Sequence, residues 1–293
     1  MKNKIFVVTG VTSGIGQALA LDIARTGEML VMVARDVDRG QQVLSEIKSK
    51  TQNSNIDLEL CDLSILSSVR NLAEILKSKY QKINVLINNA GVYKRSRKVT
   101  VDGFEEMFAA NYLGPFLLTN LLLELLQAAV QVDGSAHILN ITAPSTTRLN
   151  FDDLQSEKIF NSLNAFGASK MANLLFTMEL ARRLENTGIT VNAVHPGLVR
   201  SGIMKEAFAP LRLLTWLASS PPQKAAENIL QVATAPDFER TTGKFFHRTK
   251  ELQAAAYVYD RDAQQRLWEI SEMLTDLSST KGITPVNDPH LSS

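Results

Sequence analysis

Cysteine is almost absent from this chain: Cys61 stands alone among 293 residues, so no disulfide can close within it. That usage suits a reducing compartment, and a cytoplasmic location is expected. An excess of charge of one sign is missing as well. The 31 basic and 30 acidic side chains leave a formal net charge of +1, so no global field draws the chain to nucleic acid or to a membrane surface. No stretch reaches the roughly 20 apolar residues of a membrane span. The most apolar segment, residues 115–130, is interrupted by Asn120, Glu124 and Gln127 and reads as a buried helix. The apolar run within residues 1–8 is too short for a signal-peptide core, and Thr9-Gly10 follows it directly. It reads as a first strand, and no N-terminal membrane anchor is expected. The four histidines, at 137, 195, 247 and 290, lack metal-ligand spacing, so no metal is expected.

What is present is alternation. Short apolar, β-branched runs at 5–9, 29–34, 56–60, 85–87, 136–141, 190–194 and 244–246 read as strands. Between them lie helical repeats, such as Ile15, Leu19 and Ile23 ahead of Gly27, or Met171, Leu174, Leu175 and Met178. One long helix is expected over about 101–129. Strands apolar throughout are buried on both faces, as in parallel sheets. The pattern predicts an α/β fold: a single Rossmann-type, doubly wound parallel sheet of about seven strands flanked by helices. Residues 1–280 read as one domain and 281–293 as a polar, flexible tail.

The segment Thr9-Gly10-Val11-Thr12-Ser13-Gly14-Ile15-Gly16 joins the first strand to the first helix. Gly10 permits a tight turn, Gly14 lets backbone approach a pyrophosphate, and Gly16 lets the helix pack close to the sheet. The helix N-terminus, with Thr12, Ser13 and Ile15 around it, attracts phosphates. A glycine triplet alone is weak evidence; its strand–turn–helix setting makes a dinucleotide site the better reading. The second strand ends in Ala34-Arg35-Asp36. Arg35 can fork onto a 2′-phosphate, while Asp36 either caps the next helix or turns toward a ribose. NADP(H) is therefore favoured over NAD(H).

With Asn88-Asn89-Ala90-Gly91 after the fourth strand and His195-Pro196-Gly197 after the sixth, the chain resembles the short-chain dehydrogenase/reductase family. Asp102-Gly103-Phe104, Asn111-Tyr112-Leu113-Gly114, the segment 153–158 and the segment 266–271 resemble its retinol dehydrogenase-like branch. The resemblance implies that Asp62 and Leu63 flank the adenine and that Asn89, Ala90 and Gly91 line the adenosine ribose. It places Pro196, Gly197 and Val199 at the nicotinamide, with Ser201 near its amide or the phosphates. It further implies hydride transfer to or from a small, apolar alcohol or carbonyl substrate. The long helices at 101–129 and 162–186 resemble those through which family members form homodimers.

The family's chemistry uses asparagine, serine, tyrosine and lysine. A phenol donates its proton to the substrate oxygen, a serine orients that oxygen, and a lysine holds the ribose and lowers the phenol's pKa. Asn111 and Lys170 stand in place, but Ala143 occupies the serine position and Phe166 the tyrosine position. Each departure removes one hydroxyl. Thr142, Ser145 and Tyr93 are the nearby hydroxyls that could substitute, and an ordinary structural role is favoured for each. The basic run Lys94–Lys98 reads as a solvated loop. Three readings stay open: an oxidoreductase shown in hydroxyl-deleted, impaired form; a pseudoenzyme that senses cofactor or binds a partner; and a repurposed enzyme using the pocket for a non-redox step.

Overall fold

The computed structural model describes residues 4–199 and 220–277. The apolar runs become seven parallel strands: β1 Ile5–Thr9, β2 Met29–Ala34, β3 Ile56–Leu60, β4 Val85–Asn88, β5 Ala136–Ile141, β6 Ile189–His195 and β7 Lys244–His247. They pair in the order β3-β2-β1-β4-β5-β6-β7, and a two-residue antiparallel strand, β8 Lys250–Glu251, closes the far edge. That eighth strand has no sequence signal, because two charged residues carry no alternation.

The helices are α1 Gly14–Arg25, α2 Val37–Thr51, α3 Leu66–Lys79, α4 Glu106–Leu121, α5 Leu123–Asp133, α6 Ser162–Arg183, α7 Pro222–Thr234 and α8 Arg261–Leu274. Side chains alternate across each strand, so one sheet serves two cores. Phe6 and Val8 of β1 join the core under α1, α2 and α7, while Val7 joins the larger core under the other helices. The tail 281–293 and residues 200–219 lie outside the described residues.

The long helix expected over 101–129 is two helices and a turn. Gly103, at φ +85°, and a bridge between Val99 and Glu105 fold residues 99–105 into a tight loop. The Glu105 carboxylate accepts from the Phe108 N–H at 2.7 Å and caps α4. At Leu122 the chain bends by 52° before α5 begins. Among the described residues no single helix is long and apolar enough to cross a membrane. Within α4, residues Ala109–Leu113 form a π turn. Within the chain, α3 packs against α4 and α8 against α6.

Candidate functional site

The sheet order reverses direction between β1 and β4, the place where a doubly wound sheet opens a crevice at its carboxyl edge. A cavity of about 330 Å³ lies there. Its walls bring together Gly10, Thr12, Ser13, Ile15, Gly16, Arg35, Asp62, Leu63, Asn89, Ala90 and Gly91. Of the residues expected at the phosphate and adenosine end, only Gly14 is not on the wall; it begins α1 at φ +58°.

Two close approaches explain the glycines. A Cβ on Gly16 would lie 2.2 Å from the Gly10 carbonyl oxygen and 2.6 Å from Asn89 Nδ2; one on Gly10 would meet the Ala90 Cα at 2.8 Å. Gly10 also holds φ +74°. The N-terminus of α1 has no side-chain cap and no acidic residue in its first turn, so its N–H groups remain available to an anion. Thr9, which the sequence reading did not weigh, pins the crevice. Its hydroxyl oxygen accepts from the N–H groups of Asn89 and Ala90, each at 3.0 Å. The Asn89 side chain donates to the Thr9 and Gly10 carbonyls at 2.9 and 3.3 Å. Asn89 therefore shapes the wall with its side chain tied back, and Asn88 is buried, donating to Thr119 and Asn140 at 2.9 Å each.

At the far end of β2, Asp36 caps α2: its carboxylate accepts from the Arg39 N–H at 3.0 Å. Arg35 is exposed, with its guanidinium 3.9 Å from Asp62. Arg39 joins it on the cavity wall, four residues on. Asp62 also accepts from the Ser64 N–H and hydroxyl at 2.9 and 2.7 Å.

The π turn of α4 aims Asn111 at the loop after β4. Its Oδ1 accepts from the Val92 N–H at 2.7 Å, and its Nδ2 donates to the Val92 carbonyl at 2.9 Å and to Ser169 Oγ at 3.0 Å. Asn173 in turn donates to the Asn111 carbonyl at 2.8 Å. Lys170 follows Ser169 on α6 and is buried, and burial lowers its pKa to about 8. Its ammonium sits 5.4 Å from the centroid of the Phe166 ring, one helical turn back. Among the described residues it forms no ion pair. Ala143 follows β5, beside α6. None of these four residues is on the cavity wall; the wall includes Ala110, next to Asn111, and Tyr93, whose ring packs on Phe166.

The three hydroxyls that could substitute are each held elsewhere. Thr142 donates to the Lys170 carbonyl at 3.2 Å, and Ser145 to the Gly167 carbonyl at 2.8 Å. The Tyr93 ring packs edge-on to Phe166 at 5.7 Å, but its hydroxyl donates to Ser162 at 2.9 Å, a further turn away from Lys170. At the end of β6, Gly197 takes φ +86° and Val199 bridges to Ser220. Ser201 lies outside the described residues. His195 stacks on His247 at 5.2 Å, and burial together with that neighbour pulls its pKa down to about 4. Among the described residues no cluster of His, Cys, Asp or Glu could hold a metal.

The basic run is more engaged than a solvated loop. Lys94 pairs with Glu106 at 3.2 Å, and Arg97 reaches the Gln155 carbonyl at 3.1 Å and Glu157 at 3.6 Å. Arg97 thereby ties the loop after β4 to the loop before α6, and Lys94 ties it to α4.

Comparison with known proteins agrees with this layout. Residues 4–211 match the family model described as short chain dehydrogenase. The chain is 39% identical to mouse retinol dehydrogenase 12 over 277 residues, covering 92% of this chain and 85% of the relative. It is 36% identical to human polyprenol dehydrogenase, over 93% of this chain and 85% of that one. A crystal structure of an uncharacterized protein from Mycobacterium paratuberculosis superposes with a TM-score of 0.72 at 30% identity, covering 93% of each chain.

Proposed function

The chain belongs to the short chain dehydrogenase family, and on that premise we propose that it binds NADP(H) in the β1–β4 crevice, with impaired hydride transfer to and from an apolar alcohol or carbonyl. One observation carries the reading: a buried ammonium, Lys170, faces the ring of Phe166, a phenyl that carries no hydroxyl.

The crevice fits a dinucleotide. The Gly10–Gly16 approach leaves room that a Cβ would fill, and the open N-terminus of α1 suits a pyrophosphate. Two observations support a 2′-phosphate: Arg35 and Arg39 are on the cavity wall, and the Asp36 carboxylate accepts from the Arg39 N–H as the cap of α2. Asp62, Leu63, Ala90 and Gly91 would enclose the adenosine. Lys170 would hold the nicotinamide ribose, and Pro196, Gly197, Val199 and Ser201 would border the nicotinamide.

The nicotinamide supplies or takes the hydride. What the chain itself can do is position and polarise. Asn111 fixes the loop after β4 against α6, and the buried Lys170 places a positive charge at the reaction centre. A proton for the substrate oxygen would have to come from a group near that charge, and neither Ala143 nor Phe166 carries one. Positioned acid catalysis contributes about 10²–10⁴-fold, so the chain should bind its cofactor with little change and react slowly.

Titration of NADPH and NADH by intrinsic fluorescence tests the binding half. Tighter binding of NADPH is expected, and Arg35→Ala should remove most of that preference. Equal affinities in the unaltered chain would refute the 2′-phosphate assignment.

A further inference from the structure

The π turn of α4 coincides with a missing donor. In an α-helix the carbonyl of residue 111 accepts the N–H of residue 115. Residue 115 is proline and carries no N–H. The helix widens at the same place: the Gly114 N–H donates to the Ala109 carbonyl, five residues back instead of four. The Asn111 carbonyl thus lacks its ordinary helical donor in a buried stretch of the chain, where an unmade hydrogen bond is costly.

The donor comes from another helix. Asn173 of α6 is buried and places its side-chain amide 2.8 Å from the Asn111 carbonyl oxygen. In the other direction the Asn111 amide donates to Ser169 Oγ at 3.0 Å, and that hydroxyl donates to the Phe166 carbonyl at 2.8 Å. Two hydrogen bonds therefore join the π turn to α6, one on each side of Lys170 in sequence. The stretch of α6 that carries Asn173 is itself held in register. The Asn173 carbonyl accepts from Thr177 Oγ1 at 2.7 Å, Thr177 accepts from the Asn140 amide at 2.9 Å, and Asn140 Oδ1 accepts from the Asn88 amide at 2.9 Å. A run of buried polar groups leads in this way from β4 and β5 into α6, and a slip of the helix would leave several of them unpaired.

We infer that Asn173 is a positioning residue: it gives the Asn111 carbonyl the N–H that Pro115 withholds, and so fixes the π turn, with the Asn111 side chain on it, against the turn of α6 that carries Lys170. The consequence for cofactor rests on the dinucleotide reading above; the exchange of donors does not. An apolar side chain of similar size at 173 leaves the carbonyl bare, and a backbone N–H restored at 115 makes Asn173 dispensable.

A double-mutant cycle tests this. The unaltered chain, Asn173→Leu, Pro115→Ala and Pro115→Ala/Asn173→Leu are compared by urea denaturation and by NADPH titration. Asn173→Leu should lower the denaturation midpoint and raise the NADPH dissociation constant about fivefold or more. The emission maximum of bound NADPH, which reports the surroundings of the nicotinamide, should shift. In the Pro115→Ala background the same substitution should cost much less on all three readouts. Equal losses in both backgrounds would overturn the inference and leave Asn173 a packing residue. So would a folded Asn173→Leu chain whose NADPH affinity and emission match those of the unaltered chain. Should Asn173→Leu fail to fold, the double variant decides: folding once the N–H is restored supports the inference, and failure to fold overturns it. Absence of NADPH binding by the unaltered chain would refute the dinucleotide reading, and the coupling between denaturation midpoints would still decide the role of Asn173.

Discussion

Lys170 is a buried cation with no counter-charge among the described residues, and that has a consequence for stability. Its pKa is lowered to about 8 by burial, below the value for a solvated lysine. Between those two values the unfolded chain binds the proton that the folded chain has released, so stability of the free protein should rise with pH across that window. Below about pH 8 the charge is retained at a cost on the order of 3 kcal/mol. Lys170→Met should therefore raise the thermal midpoint of the free protein at pH 7 and flatten its rise between pH 8 and 10. Calorimetry across that range checks this, with weakened cofactor binding as the companion expectation. At this scale the sequence was legible where chemistry is tied to spacing. Asn111, Lys170 and the two missing hydroxyls can be read from motif positions alone. Where Tyr93, Thr142 and Ser145 send their hydroxyls could not be read, because each ends on a partner in α6 between 22 and 69 positions away.

Helix α1 and the π turn of α4 carry the site, and each depends on one close contact. Gly16 lets α1 approach the Gly10 carbonyl, where a Cβ would lie at 2.2 Å. Both atoms in conflict belong to backbone or to a tied-back asparagine, so Gly16→Ala should destabilise the fold by about 2–4 kcal/mol. It should also weaken NADPH binding, as chemical denaturation and titration would measure. The π turn is braced from outside the site by the Tyr112–Ser271 hydrogen bond. Ser271→Ala would leave a buried phenol unsatisfied, at a cost of about 1–3 kcal/mol. Because Asn111 precedes Tyr112, a small loss of cofactor affinity should accompany it. Helical periodicity announced α4 and α5 as one helix, since apolar residues recur at helical spacing on both sides of Leu122. The bend there follows from packing rather than from proline or glycine, and the tight loop at 99–105 replaced a helical start that the pattern 101–105 did not exclude.

Across the whole molecule, the parallel sheet and its reversal at β1–β4 were legible because strands apolar on both faces alternate with amphipathic helices. The packing of α8 was not: apolar stripes on α4 and α6 do not say what covers them, and the helix that packs there begins 78 residues past Arg183, the end of α6. The central claim is that an intact dinucleotide crevice leads to a reaction centre that keeps its lysine and lacks its proton donor. Steady-state NADPH oxidation with a panel of apolar aldehydes and ketones, comparing this chain with its Ala143→Ser/Phe166→Tyr variant, tests it most directly. The variant should turn over at least about 100-fold faster, with the affinity for NADPH little changed. Similar, substantial rates from both proteins would contradict the account and assign the proton to another group, with Ser145 and Tyr93 the first to substitute.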